Sequence, residues 1–184
     1  MLTSSNFTGL FSDRFFKNLM PIPAAGAIQI GDRAPLFELR DVTHGETLRL
    51  KDYVGPGSAQ QPVLLALTRI FTENQYCPLC YPHIVALREA STEIKTRGVA
   101  VWMITSTDLD QSVTVTQDLG LPMPLLSDPS CQVFRDYGVG QALGAPLPAQ
   151  FLIDGAGYVR FRHLFSFLEP NASIERTYRA IEKL

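Results

Sequence analysis

Three cysteines, three histidines and one tryptophan among 184 residues leave no room for a disulfide framework or a histidine-rich metal centre. Charge of one sign is also missing. Sixteen Lys and Arg against 18 Asp and Glu give a net charge of -2, which offers no attraction to nucleic acid or an acidic membrane surface. No apolar run approaches the ~18 residues that a membrane span needs. Neither an internal repeat nor a linker to a second domain is visible. Near the N-terminus, Asp13, Arg14 and Lys17 interrupt Phe11, Phe15, Phe16, Leu19 and Met20. No secretory signal core forms there, so a cytoplasmic location is expected. The sequons Asn6-Phe7-Thr8 and Asn171-Ala172-Ser173 then carry no weight.

What the chain does have is enough apolar material for one sizeable core: hydrophobic residues make up 46% and charged residues 18%. Residues 9–20 carry apolar side chains at 11, 15, 16 and 19, one face of a short amphipathic helix. Pro21, Pro23, Gly26, Gly31 and Pro35 make 21–35 an extended connector. Leu36–Arg40 and Thr47–Leu50 read as a β-hairpin around His44-Gly45, with His44 a turn residue. Val63–Leu67 and Val99–Ile104 are continuous apolar runs, as in central strands covered on both faces. A helix is expected over 108–119, a strand or edge over Pro124–Ser127, and a helix opened by Asp128-Pro129 that carries Cys131, Val133 and Phe134. Phe151–Ile153 and Tyr158–Arg162 form a late strand pair. A last helix from Asn171 or Ser173 buries Ile174, Tyr178 and Ile181. Strands alternating with helices predict an α/β layer architecture with a mixed sheet.

The chemistry concentrates in Tyr76-Cys77-Pro78-Leu79-Cys80-Tyr81-Pro82. Beyond it, Ile84, Leu87, Ala90 and Ile94 recur at steps of three or four, one buried face of a helix ending at Arg97-Gly98. Cys77 falls at or beside that helix N-terminus, where unpaired N–H groups and the dipole favour a thiolate. Cys80 lies a turn further in and can close a disulfide with it. Cys77 is the expected nucleophile and Cys80 the resolving thiol. Zinc held by Cys77, Cys80, His83 and a folded-over Cys131 is the competing chemistry, but no second CxxC or HxxxH supports it, so no metal is expected. His83 reads as a helix-face residue, His163 as a hairpin residue either exposed or satisfied locally, and Cys131 as core.

Four segments resemble the AhpC/TSA branch of the thioredoxin superfamily, which includes peroxiredoxins and thioredoxin-like disulfide reductases. They are Gly31–Leu39, the CxxC after a buried strand, Pro124–Pro129 followed by Tyr137-Gly138-Val139, and Pro148–Asp154. The resemblance runs from about 31 to 163. It implies a thioredoxin-like fold over 31–184: a central mixed β-sheet flanked by helices, with an N-terminal β-hairpin extension. Residues 1–30 are then an N-terminal extension.

Within the family, peroxiredoxins carry a proline and a threonine seven and three residues before the peroxidatic cysteine; Ile70 and Asn74 stand here. Thr72 is one candidate to stand in for that threonine; Arg69 is either a source of cationic charge near Cys77 or, equally, a surface residue at a strand end. A late-strand arginine of peroxiredoxins is replaced by Pro148. That proline instead resembles the substrate-binding cis-proline of thioredoxins, preceded by Leu147. Tyr76 and Pro78 match the aromatic-CPxC pattern of disulfide reductases. A buried acid near the dithiol has no counterpart, since Phe71 stands six residues before Cys77.

The resemblance therefore implies thiol–disulfide exchange first and peroxide reduction second, with no cofactor. It implies an external thiol donor, such as a thioredoxin or glutathione system, and an oxidised protein or a peroxide as substrate. A homodimer is compatible with it. A redox sensor or binding module without turnover is the reading from a different class.

Overall fold

The computed structural model describes residues 13–24 and 26–184. Its elements in chain order begin with α1 (Asp13–Lys17), β1 (Glu38–Asp41), β2 (Glu46–Arg49), α2 (Leu50–Tyr53) and β3 (Val63–Thr68). A hairpin of β4 (Ile70–Thr72) and β5 (Gln75–Tyr76) leads to the long α3 (Tyr81–Thr96). Then come β6 (Ala100–Thr105), α4 (Leu109–Leu119), β7 (Leu125–Ser127) and α5 (Gln132–Asp136). The chain continues through β8 (Gln141–Ala142), β9 (Ala145–Pro146), β10 (Ala149–Ile153), β11 (Val159–Leu164) and α6 (Ile174–Ile181).

Seven strands form one sheet in the order β11-β10-β3-β6-β7-β1-β2. β3, β6 and β7 run parallel, while β10, β11, β1 and β2 add antiparallel pairs at the two sides. The mixed sheet and the hairpin joined to its edge are as the sequence predicts. Alternation explains the two cores. Leu65, Leu67, Trp102, Ile104, Phe151 and Ile153 face one side and pack with Val133, Phe134 and Tyr137. Leu64, Ala66, Val101, Met103 and Leu152 face the other, under Ile84, Leu87 and Ile94 of α3, Val115 and Leu119 of α4, and Ile181 of α6. With both faces covered, every residue of β3 is buried, and hence its run is uninterruptedly apolar up to Thr68.

Several expectations need correction. Asp128 caps α5, accepting from the N–H groups of Gln132 and Val133, but the helix starts at Gln132 and Pro129 is not its first residue. Cys131 takes the N-cap position with φ of 57°. In α6 the fully buried side chains are Thr177 and Ile181, with Ile174 and Tyr178 only half-buried. The described part of the first helix spans only Asp13–Lys17, and residues 9–12 lie outside the described residues. Its expected apolar face turns in only at Phe15, which is half-buried against Gly144: Phe16 and Leu19 are exposed, while Asn18 is buried and Arg14 half-buried. Polar groups, together with the half-buried Phe15 ring packed on Gly144, anchor this segment. The short elements α2, β4–β5 and β8–β9 were not predicted, being too brief to show a period.

Among the described residues, no helix is long and apolar enough to cross a membrane. Phe151 is fully buried between Tyr137 and the β3 side chains, with the two rings 5.0 Å apart. Phe151→Ala should therefore cost about 3–5 kcal/mol, while Leu168→Ala, at a 99% exposed position, should change stability by under about 0.5 kcal/mol. Urea unfolding of the two variants checks this; comparable midpoints would contradict the packing described.

Candidate active site

The site is assembled at one end of the sheet. β3 ends at Thr68, and the β4–β5 hairpin carries the chain out and back to Cys77. Residues 77–80 form a turn rather than the first turn of a helix. The Cys77 carbonyl accepts from the N–H groups of Cys80 (2.9 Å) and Tyr81 (3.0 Å), and α3 proper starts at Tyr81 with Cys80 as its N-cap. Cys80 thus sits at the helix boundary, not a turn inside it, and Cys77 lies just ahead. Pro82 falls in the first turn, where a missing N–H costs nothing.

All three cysteines are free thiols and all are buried. The Cys80 thiol hydrogen-bonds to the Cys77 sulfur, and this bond does most to lower the Cys77 pKa to about 6. Partial burial works against it. The N–H groups of Leu79 and Cys80 and the charge of Arg69 add to the lowering. The same bond, together with burial and the Cys77 charge, pushes Cys80 well up. One thiol is therefore poised as thiolate and the other held protonated against it.

Arg69 is not a surface residue at a strand end. It is 7% exposed, its guanidinium lies 4.8 Å from the Phe71 ring, and Nη2 donates to the carbonyls of Ala142 (2.5 Å) and Leu143 (3.3 Å). Burial lowers its pKa and the Cys77 charge raises it again. Thr72 is buried, but its hydroxyl accepts from Asn74 N (3.4 Å), an arrangement that does not serve the cysteine.

Tyr76 is half-buried in β5, its ring 5.6 Å from that of Tyr81, while its hydroxyl is buried without a partner. Pro78, Leu79 and Tyr81 are exposed and form an apolar rim over the buried sulfurs. Pro148 is buried and Leu147 half-buried, at the start of the strand that pairs Ala149 with Leu67. The isomer of the Leu147–Pro148 bond cannot be read from the sequence; it is trans, and no peptide bond among the described residues is cis.

Two residues of the site escaped the sequence reading. Asn171 donates to the Leu79 carbonyl (3.1 Å) and also reaches the Cys80 sulfur, whose pKa it moves down. Gln150 donates to Asn171 (2.9 Å) and accepts from Ala172 N (2.8 Å), so it fixes the Asn171 amide. A glutamine inside an otherwise apolar strand was the available signal.

The histidines stand apart from this chemistry. His83 is buried with Nε2 unpartnered, and burial, aided by His163, lowers its pKa to about 4. His163 contacts the Glu169 carbonyl (2.9 Å), so it is satisfied locally as expected, though buried rather than exposed. Cys131 is core, with Asn18 Nδ2 at 3.7 Å. The zinc set does not converge. Among the described residues, the one group of three potential ligands lying within 4.8 Å of one another is Asp41, His44 and Glu46 in the β1–β2 hairpin, two of them exposed. There, His44 contacts Asp41 (2.7 Å), consistent with its expected place in a turn.

Residues 30–162 match the AhpC/TSA family. Peroxiredoxin tpx1 of Schizosaccharomyces pombe is 34% identical over 145 residues, covering 73% of this chain and 70% of the relative. Thiol-disulfide oxidoreductase ResA of Geobacillus thermodenitrificans is 30% identical over 135 residues, covering 73% and 68%. The solved structure of peroxidoxin BcpB from Mycobacterium tuberculosis superposes with a TM-score of 0.71 at 20% identity, covering 85% of this chain and 98% of that one, a likeness of fold.

The electrostatics give a direct test. Alkylation of Cys77 in the reduced protein should rise with pH through a midpoint near 6, because only the thiolate reacts. Arg69→Met should move that midpoint upward, since it removes a charge that favours the thiolate. A wild-type midpoint of about 8.5, the value of an ordinary thiol, unmoved by Arg69→Met, would contradict the site as described.

Proposed function

The chain belongs to the AhpC/TSA family of thiol oxidoreductases, and from that premise we propose that its Cys77–Cys80 dithiol carries out thiol–disulfide exchange. The observation that carries this reading is the tight turn that sets the two buried cysteines side by side, the Cys80 N–H on the Cys77 carbonyl at 2.9 Å, with Cys80 lowering the Cys77 pKa. A resolving thiol already in contact with the attacking one needs no unfolding to reach it.

The Cys77 thiolate attacks one sulfur of a substrate disulfide R–S–S–R′. An S–S bond forms to R–S, the substrate S–S bond breaks, and R′–S⁻ leaves to be protonated by solvent. Cys80 then loses its proton and attacks the Cys77 sulfur of the mixed disulfide. R–S⁻ is released, and the protein keeps a Cys77–Cys80 disulfide; the substrate has gained two electrons. An external dithiol of the thioredoxin or glutathione kind, reacting by the same two steps in reverse, restores the reduced protein. Pro78, Leu79 and Tyr81 at the rim offer apolar contact to the substrate, with Tyr76, Leu147 and Pro148 behind them.

Peroxide reduction is the second reading, favoured by the likeness to a relative named peroxiredoxin and by the buried Arg69. There, the Cys77 thiolate attacks ROOH with uptake of a proton, giving Cys77 sulfenic acid and ROH. Cys80 condenses with the sulfenic acid to release water and leave the same disulfide. It ranks second because O–O cleavage needs several donors around the departing oxygen. Arg69 is one such group, but Ile70 and Asn74 stand where the peroxiredoxin proline and threonine would be.

Rapid mixing of the reduced protein with a model disulfide and, separately, with hydrogen peroxide tests the order. The expected result is faster reaction with the disulfide, a stable Cys77 mixed disulfide in Cys80→Ser, and background rates in Cys77→Ser. Faster reaction with peroxide, with sulfenic acid trapped on Cys77 in Cys80→Ser, would put peroxidase chemistry first. If Cys77 reacted with neither oxidant faster than an ordinary thiol, the protein would be a sensor or binding module instead.

A further inference from the structure

The N-terminal segment lies before the stretch matched to the family, which begins at residue 30, yet its contacts converge on the dithiol site. Arg14, on α1, donates through Nη1 to the Ser106 carbonyl and through Nη2 to the Phe71 carbonyl. Ser106 directly follows β6, and Phe71 is the central residue of β4, the residue whose ring lies under the Arg69 guanidinium. One planar fork therefore ties the dithiol hairpin to the end of a central strand.

The same segment grips the hairpin that holds Arg69 from the other side. Gly144 N donates to Asn18 O (3.0 Å), Leu143 N to Leu19 O (3.2 Å), and Gln141 Nε2 to Lys17 O (3.0 Å); Ile22 bridges Gln141. Phe15 packs so closely on Gly144 that a Cβ there would meet its ring at 2.0 Å. The carbonyls of Ala142 and Leu143, which receive the Arg69 guanidinium, belong to this gripped hairpin.

We propose that Arg14 is a positioning residue for the dithiol: through Phe71, and with the 13–22 segment holding the β8–β9 hairpin, it sets Arg69 against Cys77. Arg14 touches neither sulfur of the dithiol and acts through Arg69. The inference rests on the reading of Cys77 as the attacking thiol. It gives the N-terminal segment a part in setting the reactivity of the site.

The test is the pH profile of Cys77 alkylation and of reaction with a model disulfide. It compares wild type, Arg14→Ala, Arg14→Lys, and Lys17→Ala, which removes an exposed side chain and leaves the Lys17 carbonyl bond to Gln141 in place. Displacing Arg69 weakens its hold on the thiolate, so Arg14→Ala should shift the midpoint upward by about one pH unit. That lowers the rate at pH 6 by about fivefold and leaves rates at pH 9 nearly equal. Arg14→Lys, able to reach one carbonyl but not both, should fall between. Lys17→Ala should match wild type.

Equal profiles in folded Arg14→Ala and wild type would overturn the proposal, as would a uniform rate loss at every pH. If Arg14→Ala does not fold, Arg14→Lys decides: an intermediate shift supports positioning, a wild-type profile overturns it. Failure of both variants to fold would make Arg14 a stability determinant only. A wild-type Cys77 without a lowered midpoint would instead defeat the underlying reading of the site.

Discussion

The buried guanidinium of Arg69 is the constraint from which the site follows. Taking a cation out of water costs several kcal/mol unless its donors and its charge are both answered. Among the described residues, Arg69 makes no ion pair with a carboxylate. Two carbonyls of the β8–β9 hairpin and the face of Phe71 answer it in part, and its Nε remains without a partner. The anion available to it is the Cys77 thiolate. Cation and thiolate thus stabilise each other in part: burial still outweighs the thiolate at Arg69, and at Cys77 the cation adds to the larger effects of Cys80 and the backbone N–H groups.

That dependence orders the surroundings. The carbonyls that receive Arg69 need a hairpin held in place, and the hairpin needs the segment lying across it. Gly138 and Gly140 serve the same contact: a Cβ on Gly138 would meet the Gly26 carbonyl oxygen, and one on Gly140 that of Ile22, each at 2.5 Å. At positive φ, both positions also favour glycine on backbone grounds. On the other side, Gln150 fixes Asn171, and Asn171 fixes the Leu79 carbonyl beside Cys80. The dithiol loop is therefore clamped from two directions by groups distant in sequence.

Much of the fold was legible because burial writes a period into the sequence. β3 and β6 showed as apolar runs, and α3 through Ile84, Leu87, Ala90 and Ile94, all of which are buried. The dithiol and its aromatic and proline neighbours were legible as a motif. The clamp was not. Ala142 and Leu143 act through backbone carbonyls, which leave no side-chain trace. Arg14 and Asn18 are polar residues on a short helix whose pattern suggested that Phe16 and Leu19 turn inward, when they turn outward. A two-pronged hydrogen-bonding anchor outweighs a few tens of Å² of apolar contact, and periodicity does not register it. Asn171 was visible only as a place for a helix to begin.

The pairing of Arg69 with Cys77 has a consequence for redox balance. In the dithiol state the buried cation faces an anion; in the disulfide state both sulfurs are neutral and the cation stands alone. Above the Cys77 pKa of about 6, oxidation removes the charge that compensates Arg69, so the field of the site favours the reduced form. The backbone N–H groups of Leu79 and Cys80 push the same way, because they too bind the thiolate better than a disulfide sulfur. A disulfide whose reduced form is stabilised in this way is the stronger oxidant. A low thiolate pKa makes Cys77 abundant as a nucleophile but weaker per molecule, and it makes Cys77 a good leaving group. In the proposed cycle, the charge that activates the first attack would therefore also loosen the closing disulfide, making its reduction by an external thiol more favourable.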